Sequence, residues 1–286
     1  MKISYDLHTH SHYSDGDFSP EKVVGLAKEK GLSGAAITDH DTILGWSESK
    51  GAMLKFGMPF VQGVEISTIL EDLELHVLGY SYNFDTELLK PALQKAKTAY
   101  LKRLEIISQK LRDNGIADID ISTLQEKKGM EAILTKYDLQ KELALKHNIP
   151  MSKSCDLINK KDGLAYAPHD RQLTPSSKDV IDLIYRANGF SVLAHPGKII
   201  KDTGSRDKMW DIIKKLVSAR LCGLEISCLY HSPELQKELL DFSSRNMLLK
   251  TGGSDYHGPI HAPYRLLGLY GIDDSTWQEF HNRLIK

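Results

Sequence analysis

The sequence predicts an α/β barrel-type domain interrupted by a helical subdomain. Three observations carry this. Short apolar runs alternate with helical patterns over residues 1–85 and again over 178–286, the order that builds a parallel sheet with helices outside. Histidines and carboxylates recur where those apolar runs end. Residues 86–177 show helical spacing and no strand-rich run, so they read as an inserted subdomain. A chain of 286 residues suits one barrel carrying such an insertion.

The elements follow in order. A short apolar start ends at Asp6-Leu7-His8-Thr9-His10, then a loop reaches Asp15-Gly16. Residues two apart on extended backbone share a side, so His8 and His10 can face one point. Imidazole is the commonest protein metal ligand, and Asp15 can swing a carboxylate back over the same place. Ser19-Pro20 starts a helix as cap and first residue, and Gly31 ends it. Gly34–Thr38 is a strand ending at Asp39-His40-Asp41, and a helix runs from about Gly45 to Phe56. Phe60–Val64 is a strand ending at Glu65, and Glu74–Tyr82 alternates as a strand carrying His76.

In the insertion, Leu89, Leu93, Ala96, Tyr100, Leu104, Ile107 and Leu111 step by three or four along one long helix that Asn114-Gly115 ends. Shorter helices are expected around 122–128 and 136–147, then a looser segment through Asp170. The barrel pattern resumes with a helix from Ser177 to Asn188 and the strand Phe190–Ala194, ending at His195-Pro196-Gly197. Strands at 223–227 and 248–253 follow, each after a helix, and the second ends at Ser254-Asp255-Tyr256-His257. Leu266–Ile272 reads as one more strand before a last helix.

Composition narrows the function. The chain is 41% hydrophobic and 26% charged with a net charge of −1, which argues against a nucleic-acid coat or a membrane-surface protein. No apolar run approaches a membrane span, no signal peptide is read, and the three cysteines show no CxxC spacing. A cytoplasmic location with reduced thiols is expected.

Nine residues stand at strand ends or in the loops after them: His8, His10, Asp15, His40, Glu65, His76, His195, Asp255 and His257. In a barrel of parallel strands those ends share one face, where sites are built. One metal takes about four to six ligands, so nine nitrogen and oxygen ligands suit two or three divalent ions with a bridging carboxylate. The absence of cysteine favours Mn²⁺, Fe²⁺ or Zn²⁺ over a thiolate zinc site.

The motifs DLHTHSHYSDG, ITDHD, GVEIS with His76, LAHPG and GSDYHG resemble, in order and along the chain outside the insertion, those of the PHP (polymerase and histidinol phosphatase) family. The resemblance implies a distorted (β/α)7 barrel, a trinuclear metal centre and phosphoester hydrolysis. It implies that His8, His10, Glu65 and Asp255 hold one metal. Glu65 would bridge to a second, held by His76 and His195, while Asp15, His40 and His257 hold the third. Histidinol-phosphate phosphatases usually carry His in place of Asp15. The Asp form with an insertion is similar to the branch acting on AMP, nucleoside 3′,5′-bisphosphates or short 5′-phosphorylated RNA. That branch commonly has Gly-Arg-x-His in the insertion, whereas the aligned stretch here is Leu134-Thr135-Lys136-Tyr137-Asp138.

Bridging metals lower the pKa of bound water and neutralise phosphoryl oxygens, so no protein nucleophile is needed and Glu65 becomes the central catalytic carboxylate. Lys198, just past His195, is read as a phosphate contact or as solvated surface. His231 is read as a general acid or substrate contact, or as an exposed loop histidine. Asp6 and Asp39 either orient ligand imidazoles or cap turns. Glu225 faces the site or serves the barrel floor. A small phosphorylated substrate, a nucleotide or short oligonucleotide, is the expected partner, with no membrane and no obligatory protein partner. The rival readings are a histidinol-phosphate-like or sugar-phosphate phosphatase, and a non-catalytic PHP scaffold module.

Overall fold

The computed structural model describes residues 2–285. They divide into two compact units, residues 93–174 and the remainder.

The larger unit has seven strands. β1 (Tyr5–Thr9) and β2 (Gly34–Ile37) pair in parallel, and every residue of both is buried. The other five form a sheet in the order β3 (Gln62–Leu70), β4 (Leu73–Ser81), β5 (Phe190–Leu193), β6 (Gly223–Ser227), β7 (Leu249–Gly252). Single bridges join Thr9 to Tyr256 and His40 to Glu65, between residues of the two sheets or just past their strands. The sheets are otherwise separate rather than one closed sheet.

Two expectations change here. β3 does not stop at Glu65. It runs on to Leu70 and forms a nine-pair antiparallel hairpin with β4. The two-residue turn, Glu71-Asp72, has both φ angles positive, at 49° and 67°, the sign pattern of the primed turns that match strand twist. Neither residue is glycine or asparagine, so the usual hairpin signal is missing. β4 is therefore antiparallel to both neighbours, β3 and β5. His76 pairs with Ser67 near the start of β4, which brings it to the same end as Glu65 although it does not lie at a carboxyl end. In addition, Leu266–Ile272 is not a strand. It makes turns and a single bridge, Ile272 to Tyr5.

The helices of this unit lie between the strands in sequence, with α11 after the last of them: α1 (Pro20–Glu29), α2 (Trp46–Phe56), α3 (Thr86–Asp113, whose start lies here), α7 (Ser177–Arg186), α8 (Gly197–Thr203), α9 (Arg206–Ser218), α10 (Pro233–Arg245) and α11 (Asp274–Leu284). Their starts obey capping chemistry. Ser19, Ser176, Ser205, Ser232 and Asp273 each accept a backbone N–H of the first turn. Tyr5, Leu7, Leu78, Tyr80, Val192, Leu249, Trp277 and Phe280 pack into one core. Within it the Tyr80 hydroxyl donates to the Leu7 carbonyl at 2.6 Å.

The insertion leaves from the end of β4 at Ser81, which pairs with Gln62 at the start of β3. That is the end of the sheet away from Glu65 and His76, not the rim carrying them. The reason is the reversed direction of β4. The chain returns at Pro175, whose carbonyl accepts from the Ile69 N–H near the other end of β3.

The smaller unit holds the rest of α3 with α4 (Ile121–Lys128), α5 (Lys136–His147) and α6 (Met151–Ile158), the last within the segment expected to be loose. It has its own core, including Leu104, Ile107, Leu111, Leu134, Leu139, Leu143 and Ile158. The stretch Leu134–Asp138 builds the start of α5: Leu134 is core, and Thr135 with Asp138 forms a capping box.

Candidate metal centre

The nine residues picked from the sequence converge on one buried place in the larger unit. Glu65 is fully buried and lies at the middle. Its Oε2 is 3.0 Å from His8 Nε2, 3.1 Å from His10 Nε2 and 3.3 Å from His40 Nδ1. Its Oε1 is 2.9 Å from His76 Nδ1 and 3.1 Å from His195 Nε2. Asp255 Oδ1 stands 3.5 Å from His8 and 3.3 Å from His10. Asp15 Oδ1 stands 3.3 Å from His257 Nε2 and 3.8 Å from His10 Nδ1.

Donor atoms within 4.8 Å of one another fall into three overlapping groups. They are His8, His10, Glu65 and Asp255; His10, Asp15, His40 and His257; and His40, Glu65 and His76. His195 joins through Glu65, and its ring lies 5.1 Å from that of His76.

Local backbone puts these groups in place. β1 aims His8 inward, and His10, one residue past its end, lies beside it. The loop after β7 crosses close behind: a Cβ on Gly253 would sit 2.2 Å from the His8 Cβ, so only glycine fits. The Asp255 N–H then donates to the His8 carbonyl. His195 and Asp255 have φ of 32° and 54°, a left-handed backbone costly for such residues.

Glu225 settles its two readings toward the site. Its Oε1 is 3.0 Å from His8 Nδ1, and its Oε2 accepts the His195 backbone N–H at 2.7 Å. A carboxylate on the far ring nitrogen leaves His8 Nε2 free as a lone-pair donor. His257 is set similarly, with Nδ1 donating to its neighbour's carbonyl, Asp255 O, at 2.7 Å. Asp6 and Asp39 touch no imidazole. Asp6 accepts from the backbone of His8, Ser254 and Gly268 and from the Ser254 hydroxyl. Asp39 accepts from Ser11 and Ser14 and so fixes the first loop.

The electrostatics call for cations. Burial alone would raise the Glu65 carboxyl, yet His8, His40 and His76, with His10 close by, hold it well below its usual range. Burial works against charge on each imidazole. For His40 it wins, and the pKa falls to about 3. For His10 and His76 the carboxylates win, giving about 9 and about 10. Both ring nitrogens of His10 and Nδ1 of His40 are buried without a hydrogen bond of good geometry. Orphaned imidazole nitrogens beside buried carboxylates form a donor set of the nitrogen-and-oxygen kind that Mn, Fe or Zn takes.

A model of the PHP domain matches residues 6–228. The chain belongs to the PHP family. It is 28% identical over 257 residues to a 3′,5′-nucleoside bisphosphate phosphatase of Chromobacterium violaceum, covering 89% of this chain and 87% of that one. It is 27% identical over 266 residues to the 5′-3′ exoribonuclease Rnm of Escherichia coli, covering 90% and 86%. Among solved structures, one described as a metal-dependent phosphoesterase from Bifidobacterium adolescentis aligns with a TM-score of 0.85 and 29% identity, covering 98% and 96%. An amidohydrolase from Chromobacterium violaceum shares the fold, with a TM-score of 0.82 at 24% identity over 98% and 96%. This PHP chain is thus a metal-dependent phosphoesterase.

The other two sequence candidates fare differently. Lys198 lies beside His76 and His195 and lines a small cavity with them, and its ammonium is paired with Asp202 at 2.7 Å. His231 is neither exposed nor available. Its Nδ1 faces the Ile226 carbonyl at 2.7 Å, and its Nε2 accepts the Gly197 N–H at 2.8 Å. Both ring nitrogens are used by backbone, so His231 is a clasp between the start of α8 and β6 rather than the general acid and substrate contact expected from the sequence.

Sequence reasoning missed Arg265 and His261. The Arg265 guanidinium contacts Asp255 Oδ2 at 2.5 Å and the Tyr230 hydroxyl at 3.3 Å. His261 Nδ1 faces the Asp15 carbonyl at 2.7 Å. Both lie in the irregular segment just before Leu266, where periodicity carries no information.

Proposed function

We propose that the PHP chain hydrolyses phosphate esters of nucleotides: nucleoside 3′,5′-bisphosphates, AMP, or short 5′-phosphorylated oligoribonucleotides. The observation that carries the reading is that one buried carboxylate, Glu65, faces five histidines. Two or three divalent ions fit this donor set, drawn from Mn²⁺, Fe²⁺ or Zn²⁺. His8, His10, Glu65 and Asp255 would hold one, Glu65, His76 and His195 a second, and Asp15, His40 and His257 a third. When bound, such ions lower the pKa of water and neutralise phosphoryl oxygens. Glu65 keeps the donor atoms at fixed spacing, Glu225 and the Asp255 carbonyl hold imidazole tautomers, and Lys198 contacts the reacting phosphate after leaving Asp202.

Three broader assignments accompany this. The seven strands would make a distorted barrel, which the bridges Thr9–Tyr256 and His40–Glu65 support. Residues 86–177 would select the substrate. They hold 16 Lys and Arg against 12 Asp and Glu, a net +4, where the remainder has 21 against 26, a net −5. The chain would act in the cytoplasm, in keeping with the absence of any described helix long and apolar enough to cross a membrane.

The test joins elemental analysis to a substrate panel. More than one transition metal per chain is expected after Mn²⁺ reconstitution, with kcat/KM for adenosine 3′,5′-bisphosphate or a 5′-phosphorylated dinucleotide above that for histidinol phosphate. At most one metal would overturn the multinuclear centre, and preference for histidinol phosphate would overturn the nucleotide reading.

A further inference from the structure

The flanks of the metal cluster differ in charge. Beyond Asp15 and His40 stand the carboxylates of Asp39, Asp41 and Asp17, which fix the loops there. Beyond His195 and Asp255 stands Tyr230, ringed by cations. The Tyr230 ring lies 5.7 Å from that of His195, in an edge-on arrangement. Arg265 donates to its hydroxyl at 3.3 Å. The Lys201 ammonium sits over its ring, 5.4 Å from the centroid. Lys198 and Tyr230 are also electrostatic neighbours.

These cations are not equivalent. Lys198 is paired with Asp202 and Arg265 with Asp255. Lys201 is three residues from Lys198 on α8, so both extend from one side of the helix. It is exposed, and the aromatic face of Tyr230 is its recorded contact. A ring quadrupole attracts an ammonium weakly at an exposed site and cannot neutralise it. An ammonium so placed can still accept an anion from solvent.

We propose that Lys201, seated on Tyr230 beside Arg265, binds a second, non-reacting phosphate of the substrate. The site would take the other phosphate of a nucleoside bisphosphate, or the internucleotide phosphate of a short oligonucleotide. This deepens the nucleotide reading and rests on it for the identity of the substrate. Binding energy from a remote phosphate positions the reacting one, which is how distant contacts raise turnover.

The experiment reads competition, so it works whether or not a competitor is hydrolysed. Turnover of p-nitrophenyl phosphate by the metal-loaded full chain is measured against adenosine 3′,5′-bisphosphate and adenosine 3′-monophosphate. A second arm compares the dinucleotide pApA with 5′-AMP. The competitor with two phosphates should bind tighter by about tenfold or more, the worth of one charge-assisted contact. Lys201→Glu should abolish that preference. The charge-matched Lys30→Glu, at the end of α1, should keep it. Loss confined to the first pair assigns the site to a bisphosphate, and loss confined to the second assigns it to an oligonucleotide. No preference in the wild type, or one that survives Lys201→Glu in both arms, overturns the proposal. If nucleotides compete with this pattern but are not hydrolysed, the nucleotide reading fails and the phosphate site stands.

Discussion

At the scale of single residues, the centre depends on how its imidazoles are held as much as on the imidazoles themselves. Glu225 touches His8 through one oxygen and the His195 backbone through the other. Glu225→Gln can keep one of those contacts but offers an amide where a carboxylate stood. Metal affinity should then fall about 10–100-fold, the usual cost of losing such a partner. Titration of metal into the apoprotein reads this directly, and an unchanged affinity would show that Glu225 does not orient the ligands. Most histidines and carboxylates of the centre were legible because strand ends and spacing marked them, whereas His76 stands near the start of β4 and Glu65 within β3. Glu225 left two readings open because its strand position alone does not say which neighbour its carboxylate meets.

At the scale of elements, the loops that carry ligands are tied by groups outside the centre. His231 joins the first residue of α8 to the end of β6 through two backbone hydrogen bonds. The approach is close enough that a Cβ on Gly197 would lie 2.5 Å from the His231 ring. His231→Leu would orphan a buried N–H and a buried C=O, each at about 1–3 kcal/mol. Denaturant unfolding should show a loss of that order. A fall in kcat with unchanged stability would restore His231 as a proton donor. The β3–β4 hairpin makes a second case. Its turn lacks the residues that usually announce it, so strand direction could not be read locally. Once β4 reverses, His76 reaches Glu65 from the start of its strand, and the insertion departs from the opposite end.

At the scale of the whole molecule, the insertion has its own apolar core and its own helices. Its charge is opposite in sign to that of the remainder. Replacing residues 93–174 by a short linker should raise KM for nucleotides by about tenfold or more, with a smaller change for p-nitrophenyl phosphate. Equal changes in a folded, metal-loaded variant would show that the insertion does not read the substrate. The stretch Leu134–Asp138, which departs from the Gly-Arg-x-His pattern, builds the start of α5.

Sequence alone determined the α/β order and the helical character of the insertion, and it marked the nine histidines and carboxylates that the fold gathers at the centre. These follow from local periodicity, capping chemistry and residue type, which are short-range properties. Tertiary structure decided the direction of β4, the use of His231 as a clasp, and the placing of Arg265, Tyr230 and Lys201 together. Those depend on contacts between segments far apart in the chain, such as the Arg265–Tyr230 bond across 35 residues. No period or motif within one segment encodes which distant group it will meet, because packing of the whole unit selects the partner.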